Sequence, residues 1–187
     1  EGELTEAAAG VDLSHARVHR PGRDVTLVTY GASLWRCVTA AEELAASGID
    51  AEIVDLRSLR PLDDATILGS VRRTRRVVIV DEGWRTGSLS AEVAMRIVEQ
   101  GFYDLDAQIG RVCTEEVPIP YPQPLADAAL PDPARLVGVV ARVHHLELER
   151  PGAGDVQVKP VRAALGGRQP GAPQRQQQVV AQPVLDL

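Results

Sequence analysis

The sequence Val77-Val78-Ile79-Val80 places four apolar, β-branched residues in a row. An unbroken run of this kind is typical of a strand that is buried on both faces, as in parallel sheets covered by helices. Apolar residues at helical spacing stand on both sides of it, within 67–71 before the run and within 93–98 after it. The run and its flanks therefore predict a strand between two helices in an α/β domain.

Further strands and helices alternate outward from this run. Strands are predicted at 25–30, 51–55 and 108–113, and helices are predicted to begin near 33, 63, 88 and 132. Ser33 is predicted to cap the first of these helices and Gly48 to end it. Asp63 or Asp64 is predicted to cap the second helix, and Asp132 to cap the last.

The segment before the first long strand predicts a hairpin. Arg17-Val18-His19 and 25–30 flank Arg20-Pro21-Gly22-Arg23, in which proline at the second turn position and glycine at the third suit a type II turn. The remaining strands alternate with helices, which implies right-handed crossovers and parallel pairing. The sequence therefore predicts a three-layer α/β domain with a mixed, mostly parallel sheet flanked by helices.

Composition divides the chain into three unequal parts. Residues 1–13 are acidic, rich in alanine and without periodicity, so we expect a leader or the stump of a linker. Residues 14–145 carry the periodic apolar signal and form the predicted domain. Residues 146–187 are rich in Gly, Pro and Gln, a composition that cannot bury enough apolar surface to offset chain entropy. A disordered tail is expected there.

Bulk composition excludes several classes of function. The 187 residues are 44% hydrophobic and 25% charged, which is ordinary for a soluble globular protein. A net charge of −6 argues against binding to nucleic acid, and no run approaches the roughly 18 apolar residues that would span a membrane. Cys37 and Cys113 cannot form a disulfide framework, so we expect two buried thiols in a reducing compartment, the cytoplasm.

The loops after the strands are the first places to look for chemistry, because ligands of open α/β sheets usually lie beyond the carboxyl ends of strands. Gly31-Ala32-Ser33 offers backbone amides to an anion, but no glycine-rich nucleotide-binding motif is present. The neighbours Asp81 and Glu82 point in different directions at a strand end, which does not suit a catalytic pair. The four histidines lack the spacing of a metal site. We therefore predict no catalytic, cofactor-binding or metal-binding residue in this chain.

Four stretches, taken in order, carry a family resemblance. Residues 24–31, 52–63 and 78–87 resemble three successive strands, with their following loops, of transketolase C-terminal domains. Val117-Pro118-Ile119-Pro120-Tyr121 followed by Pro124-Leu125-Ala126-Asp127 is similar to a narrower group. That group is the beta subunit of the thiamine-dependent decarboxylase in 2-oxo acid dehydrogenase complexes of the pyruvate, branched-chain or acetoin type.

The resemblance implies an assembly role. Such a domain would be the C-terminal part of the beta subunit, supporting thiamine-diphosphate-dependent oxidative decarboxylation without carrying the catalytic site. In the parent enzyme, thiamine diphosphate and its magnesium are held by a G-D-G…N-N motif of the alpha subunit and by a preceding domain of the beta subunit. Neither is matched here, so this chain alone is expected to bind no cofactor and to be inactive.

The implied partners are the decarboxylase alpha subunit, a second beta subunit and the acyltransferase core of the complex. Trp35, Trp84, Arg85 and Tyr121 are the predicted subunit-interface residues. Trp35 lies at the edge of the first helix's apolar stripe, and Trp84 is expected on a loop. The prolines within 117–122 restrict the backbone, so this loop is expected to be ordered.

The alternative hypothesis is a stand-alone flavodoxin-like module that binds a small molecule or acts as an interaction module. Its ligand would lie near Gly31 and Gly83, at the carboxyl ends of two strands. A deep apolar pocket with converging polar groups at that edge would favour this alternative.

Overall fold

The structure, a computed structural model, describes residues 12–145. The elements in chain order are β1 (Arg17–Arg20), β2 (Val25–Thr29), α1 (Ser33–Ala46), β3 (Ala51–Asp55), α2 (Asp64–Thr74), β4 (Val77–Trp84), α3 (Leu89–Gly101), a 3₁₀ turn (Phe102–Asp104), β5 (Gly110–Thr114), α4 (Gln123–Ala129) and α5 (Pro133–His145). The expected linker at 1–13, apart from its last two residues, and the expected tail at 146–187 lie outside the described residues.

The strands form one sheet in the order β1-β3-β2-β4-β5. β2, β3, β4 and β5 are parallel, and β1 is antiparallel to β3. α1 and α5 pack on one face of this sheet, and α2 and α3 pack on the other. The predicted three-layer domain with a mixed, mostly parallel sheet is confirmed.

Two apolar clusters fill the space between the sheet and its helices. Val78 and Val80 point into the cluster beneath α1 and α5, whereas Val77 and Ile79 point into the cluster beneath α2 and α3. Successive side chains of a strand face opposite sides of a sheet. Because both sides are covered by helices here, all four residues of the run that opened the sequence have to be apolar.

The predicted hairpin between the first two strands is wrong. β1 pairs with β3, with Arg17 opposite Asp55. All of β2 is buried, so it takes a central position between two parallel neighbours, and the half-exposed β1 is left at the edge of the sheet. The turn between them packs on β3: a Cβ atom at Gly22 would lie 2.2 Å from the backbone nitrogen of Glu52.

The helix ends follow the sequence signals with one exception. Asp63 caps α2 by accepting a hydrogen bond from the backbone N–H of Thr66 at 3.1 Å. Gly48, with φ of +83°, follows the end of α1. Ser33 is not the cap of α1, because Ala32 holds that position and Ser33 is the fully buried first residue of the helix. None of the helices within 12–145 has both the length and the apolar character needed to cross a membrane.

Candidate functional site

The carboxyl ends of the parallel strands lie along one edge of the sheet, and the loops at this edge form the candidate site. These loops comprise residues 30–32 after β2, 56–63 after β3, 85–88 after β4 and 115–122 after β5. Three of the four predicted interface residues lie here, namely Trp84, Arg85 and Tyr121. The edge is therefore the place where contact with another protein surface was expected.

Asp81 is the buried carboxylate at this edge, and its hydrogen bonds give it a structural role. It accepts from the Tyr30 hydroxyl at 2.7 Å and from the backbone N–H groups of Gly83 at 2.7 Å and Ser90 at 2.9 Å. Burial alone would raise the pKa of Asp81, but these donors outweigh burial and hold the pKa below its ordinary value. The ionised carboxylate thus fastens the end of β4 to the start of α3, while Glu82 is partly exposed.

The sequence predicts Trp84 on a loop, and this prediction is wrong. Trp84 is the last residue of β4. The strand continues through an irregularity after Asp81, so that Trp84 comes opposite Thr114 of β5. Gly83 sits within this irregularity, where a Cβ atom would lie 3.1 Å from both Asp81 Oδ1 and Ser88 Cβ. The added backbone pairing holds Trp84 in place although 48% of its surface is exposed.

Hydrogen bonds tie the loop after β4 to β5 and to the loop that follows it. Arg85 donates to the carbonyl oxygen of Arg111 at 3.1 Å, and Arg111 donates to the Ser90 hydroxyl at 2.8 Å. The hydroxyl of Thr86 donates to the Glu116 carboxylate at 2.7 Å, and the backbone N–H of Thr86 donates to it at 3.0 Å. These bonds lower the pKa of Glu116. The two loops are therefore held together as one surface.

Exposed apolar side chains gather on this surface. We call it the carboxyl-edge surface and define it by Trp84, Val117, Ile119, Tyr121 and Leu125. Tyr121 is fully exposed. Val117, Ile119 and Leu125 were not singled out by the sequence reasoning, although apolar residues alternating with prolines in 117–121 were the available signal. Exposed apolar patches of this kind commonly mark protein contacts.

Trp35 does not lie with the other predicted interface residues. It is 66% exposed on α1, and its ring centroid is 6.2 Å from that of His19 on β1 in an edge-to-face arrangement. β1 and β5 form opposite margins of the sheet. The structure therefore places Trp84, Arg85 and Tyr121 towards the β5 side of the sheet and Trp35 towards the β1 side.

The arginines at the end of α2 are engaged in ion pairs. Three of them pair with carboxylates, namely Arg72 with Asp104 at 3.1 Å, Arg73 with Glu52 at 2.5 Å and Arg75 with Asp106 at 2.8 Å. The pair with Arg75 lowers the pKa of Asp106. These pairs bind α2 to β3 and to the segment before β5, so this cluster serves the fold.

The side chains of the described residues do not fit thiamine diphosphate and magnesium. Within 12–145, no three His, Cys, Asp or Glu side chains come together as a metal site would require. Asp81 and Glu52, the two buried carboxylates, already accept hydrogen bonds from other side chains. The 187 residues also contain no asparagine, so a G-D-G…N-N motif cannot be formed from them.

The fold defines the class first: a three-layer α/β domain with a mixed, mostly parallel sheet. Residues 14–136 match the family model described as the C-terminal domain of transketolase. The chain belongs to the transketolase C-terminal domain family.

Curated relatives place the match more narrowly. The chain is 44% identical over 131 residues to the beta subunit of the pyruvate dehydrogenase E1 component of Rhizobium meliloti, covering 70% of this chain and 28% of that protein. It is 44% identical over 134 residues to the mitochondrial counterpart of Drosophila melanogaster, covering 71% and 37%. It is 39% identical over 142 residues to the beta subunit of acetoin:2,6-dichlorophenolindophenol oxidoreductase of Cupriavidus necator, covering 76% and 42%.

A solved structure agrees with this placement. The split-gene transketolase described as an inactive beta4 tetramer matches with a TM-score of 0.67 at 27% identity, covering 78% of this chain and 47% of that one. The chain spans between 28% and 42% of the lengths of the three curated relatives named here. The resemblance to beta subunits of 2-oxo acid dehydrogenase complexes is confirmed for this part of their length.

Proposed function

We propose that residues 14–145 are the C-terminal assembly domain of a beta subunit in a 2-oxo acid dehydrogenase complex of the pyruvate or acetoin type. The domain supports thiamine-diphosphate-dependent oxidative decarboxylation and carries no catalytic group itself. Thiamine diphosphate and magnesium belong to the remainder of the enzyme. Two buried free thiols, Cys37 and Cys113, suit a reducing compartment, and we infer a cytoplasmic location.

The observation that carries the proposal is the carboxyl-edge surface. Trp84 ends β4, and Val117, Ile119 and Tyr121 stand on the loop after β5, which two hydrogen bonds from Thr86 to Glu116 fasten to the loop after β4. Preorganised contacts cost less entropy on association than flexible ones do. The partners we propose are the decarboxylase alpha subunit, a second beta subunit and the acyltransferase core. Self-association is supported by the split-gene transketolase, whose description is a tetramer of beta chains.

Direct binding to the alpha subunit tests this proposal. The tagged chain is immobilised, and the decarboxylase alpha subunit of the same organism is passed over it in a surface-plasmon experiment. Tyr121→Glu should weaken binding about tenfold or more, because it places a charge in a contact that excludes water. Met95→Glu is the matched control, since Met95 is also an exposed apolar residue but lies on α3, away from this edge. Absence of binding, or equal loss in both variants, contradicts the proposed contact.

The small-molecule alternative calls for a pocket near Gly31 and Gly83. The described residues do form an open depression, but it is lined by residues 98–104 at the far end of α3 from Gly83. Thermal-shift screening with nucleotides and 2-oxo acids separates the two hypotheses. A ligand that stabilises the chain and is lost on Gly83→Val would favour the alternative.

A further inference from the structure

β1 ends the sheet on one side, and its outer backbone is left without a partner in the described part of the chain. It pairs with β3, and no strand among residues 12–145 lies beyond it. Within the same residues, none of its backbone groups forms a hydrogen bond outside this pairing. An edge strand in this state is a template on which another extended segment can pair.

An irregularity in β1 turns both of its arginines to one face of the sheet. Arg17 lies opposite Asp55 and Arg20 opposite Ile53, and residues opposite each other in paired strands point to the same face. The side chain of Ile53 belongs to the apolar cluster beneath α1 and α5, so both arginines stand on the α1 side. In a regular strand of four residues, the first and the last would point to opposite faces.

Two aromatic rings stand on the same face as the arginines. His19 is the additional residue of the irregularity, and its ring meets the ring of Trp35 on α1 edge to face. Trp35 is largely exposed, so one side of this pair is open to a partner. We call Arg17, His19, Arg20 and Trp35 the β1 edge cluster.

The β1 edge cluster is positively charged in a chain whose net charge is −6. None of the ion pairs within residues 12–145 includes Arg17 or Arg20. Asp55 lies opposite Arg17, but its Oδ1 accepts a backbone N–H of the following loop at 3.1 Å. Glu42 lies two turns beyond the cluster on α1, about 10 Å along the helix axis. Both arginines are therefore available to carboxylates from outside the domain.

Arg20 already lacks a hydrogen-bond acceptor. Its Nη1 atom is buried and has no hydrogen-bond partner among the described residues. A buried donor without a partner is costly, and more so when it is charged. The side chain as a whole is half-buried. An acceptor that approaches it forms a charge-assisted hydrogen bond with a group that has already lost part of its water.

We propose that the β1 edge cluster binds an acidic, extended segment of another protein, which adds to the sheet as a strand beside β1. Backbone pairing holds the segment, carboxylates at alternate positions meet Arg17 and Arg20, and Trp35 packs on side chains of the same face. The β1 edge cluster and the carboxyl-edge surface lie towards opposite sides of the sheet. The inference therefore goes beyond the proposed function and does not depend on it.

The same charges disfavour other occupants of this edge. Two copies of β1 would bring arginine beside arginine, and like charges opposite each other destabilise strand pairing. An apolar strand would cover the guanidinium groups without offering them acceptors. Nucleic acid offers phosphates but no peptide backbone to pair with the strand, and the negative charge of the chain opposes it.

Fluorescence anisotropy with a defined peptide tests the proposal. The probe is a fluorescein-labelled peptide of about eight residues in which Glu and Val alternate, long enough to pair along the whole of β1. Titration with the full chain should give saturable binding that weakens as salt is added. The same peptide with Gln in place of Glu should bind about tenfold more weakly or less.

Variants of the chain locate the contact. Arg17→Gln combined with Arg20→Gln should weaken peptide binding about tenfold or more, and it breaks no ion pair of the described fold. Arg142→Gln is the matched control, because Arg142 is an exposed arginine on α5, which packs against β4 and β5. Tyr121→Glu, on the carboxyl-edge surface, should also leave binding unchanged. Equal loss in the arginine pair and in Arg142→Gln overturns the proposal.

Methylation of the peptide backbone separates strand addition from simple attraction of charges. In an alternating peptide strand, the N–H groups that face β1 all belong to Glu or all to Val. N-methylation of one set should therefore abolish binding, and methylation of the other set should not. Equal tolerance of both methylated peptides overturns strand addition.

The fluorescence of Trp35 reports the same contact. The chain has two tryptophans, so Trp84→Phe leaves Trp35 as the reporter, and bound peptide should shift its emission to shorter wavelength. Unchanged emission, absence of binding up to about 300 µM chain, or tighter binding of a single-stranded RNA of equal charge overturns the proposal.

Discussion

Asp81→Ala should destabilise the domain more than any other single change at the carboxyl edge. The substitution removes the acceptor of hydrogen bonds from Tyr30, Gly83 and Ser90 and leaves those donors in a largely dry environment. A hydrogen bond to a charged group contributes about 1.5–3 kcal/mol, and an unsatisfied buried donor costs about 1–3 kcal/mol. A water molecule that enters the site can accept hydrogen bonds from the freed donors and so recover part of this loss. We therefore expect the free energy of unfolding to fall by about 4 kcal/mol.

Urea unfolding followed by circular dichroism measures this cost. Tyr30→Phe removes one of the three bonds and should cost about 1–2 kcal/mol. A double-mutant cycle between Tyr30→Phe and Asp81→Asn should give a coupling of about 1 kcal/mol or more, since the two side chains touch. A cost below about 1 kcal/mol for Asp81→Ala would refute the view that this carboxylate fastens β4 to α3.

The pH dependence of stability checks the same carboxylate. The pKa of Asp81 in the fold is held below its ordinary value of 3.8, so its stabilising effect is complete above that value and is lost as the pH falls through the folded pKa. The native chain should therefore lose stability below about pH 4. Asp81→Asn should lose less over the same interval, and identical slopes would contradict the assignment.

Three further predictions concern the rest of the fold. Gly22→Ala should lower the free energy of unfolding by about 3 kcal/mol, because its Cβ would lie 2.2 Å from the backbone of β3. Gly138→Ala on α5 is the control: its Cβ meets open space, so it should be neutral or stabilising in the same unfolding assay. Arg73→Met should lower the free energy of unfolding by about 3 kcal/mol, because it leaves the buried Glu52 without its ion-pair partner. Adding Glu52→Gln to this variant removes the unpaired charge and should restore part of the lost stability. Both cysteines are buried, and burial raises the pKa of Cys37 to about 12, so no disulfide reagent should reach either thiol at pH 8 until urea unfolds the chain. Fast labelling of the native protein would be inconsistent with the packing.

The layers of the fold were predictable because they depend on local patterns. Val77–Val80 is apolar throughout since both faces of β4 are covered, and the cap at Asp63 is a contact between near neighbours in sequence. The place of β1 was not predictable in this way. A Pro-Gly turn fits a hairpin locally, but the choice between pairing with β2 or β3 depends on which strand is central, and that is settled by burial across the whole sheet.

The residues of the carboxyl-edge surface were predicted only in part for a related reason. Trp84 and Tyr121 stand out by residue type, whereas Val117 and Ile119 look like core residues until the structure shows them exposed. α4 was missed because its seven residues are short for a periodic signal. The bonds of Asp81 join residues that lie up to 51 positions apart, and no spacing in the sequence reports such contacts.

Titration calorimetry of the purified chain with thiamine diphosphate and Mg²⁺ tests most directly whether this domain supports assembly without holding the cofactor. At about 100 µM chain, we expect only heats of dilution, because the residues present offer no site for the diphosphate or its metal. Saturable binding with a Kd below about 10 µM would show that the chain does hold the cofactor, and it would contradict the account.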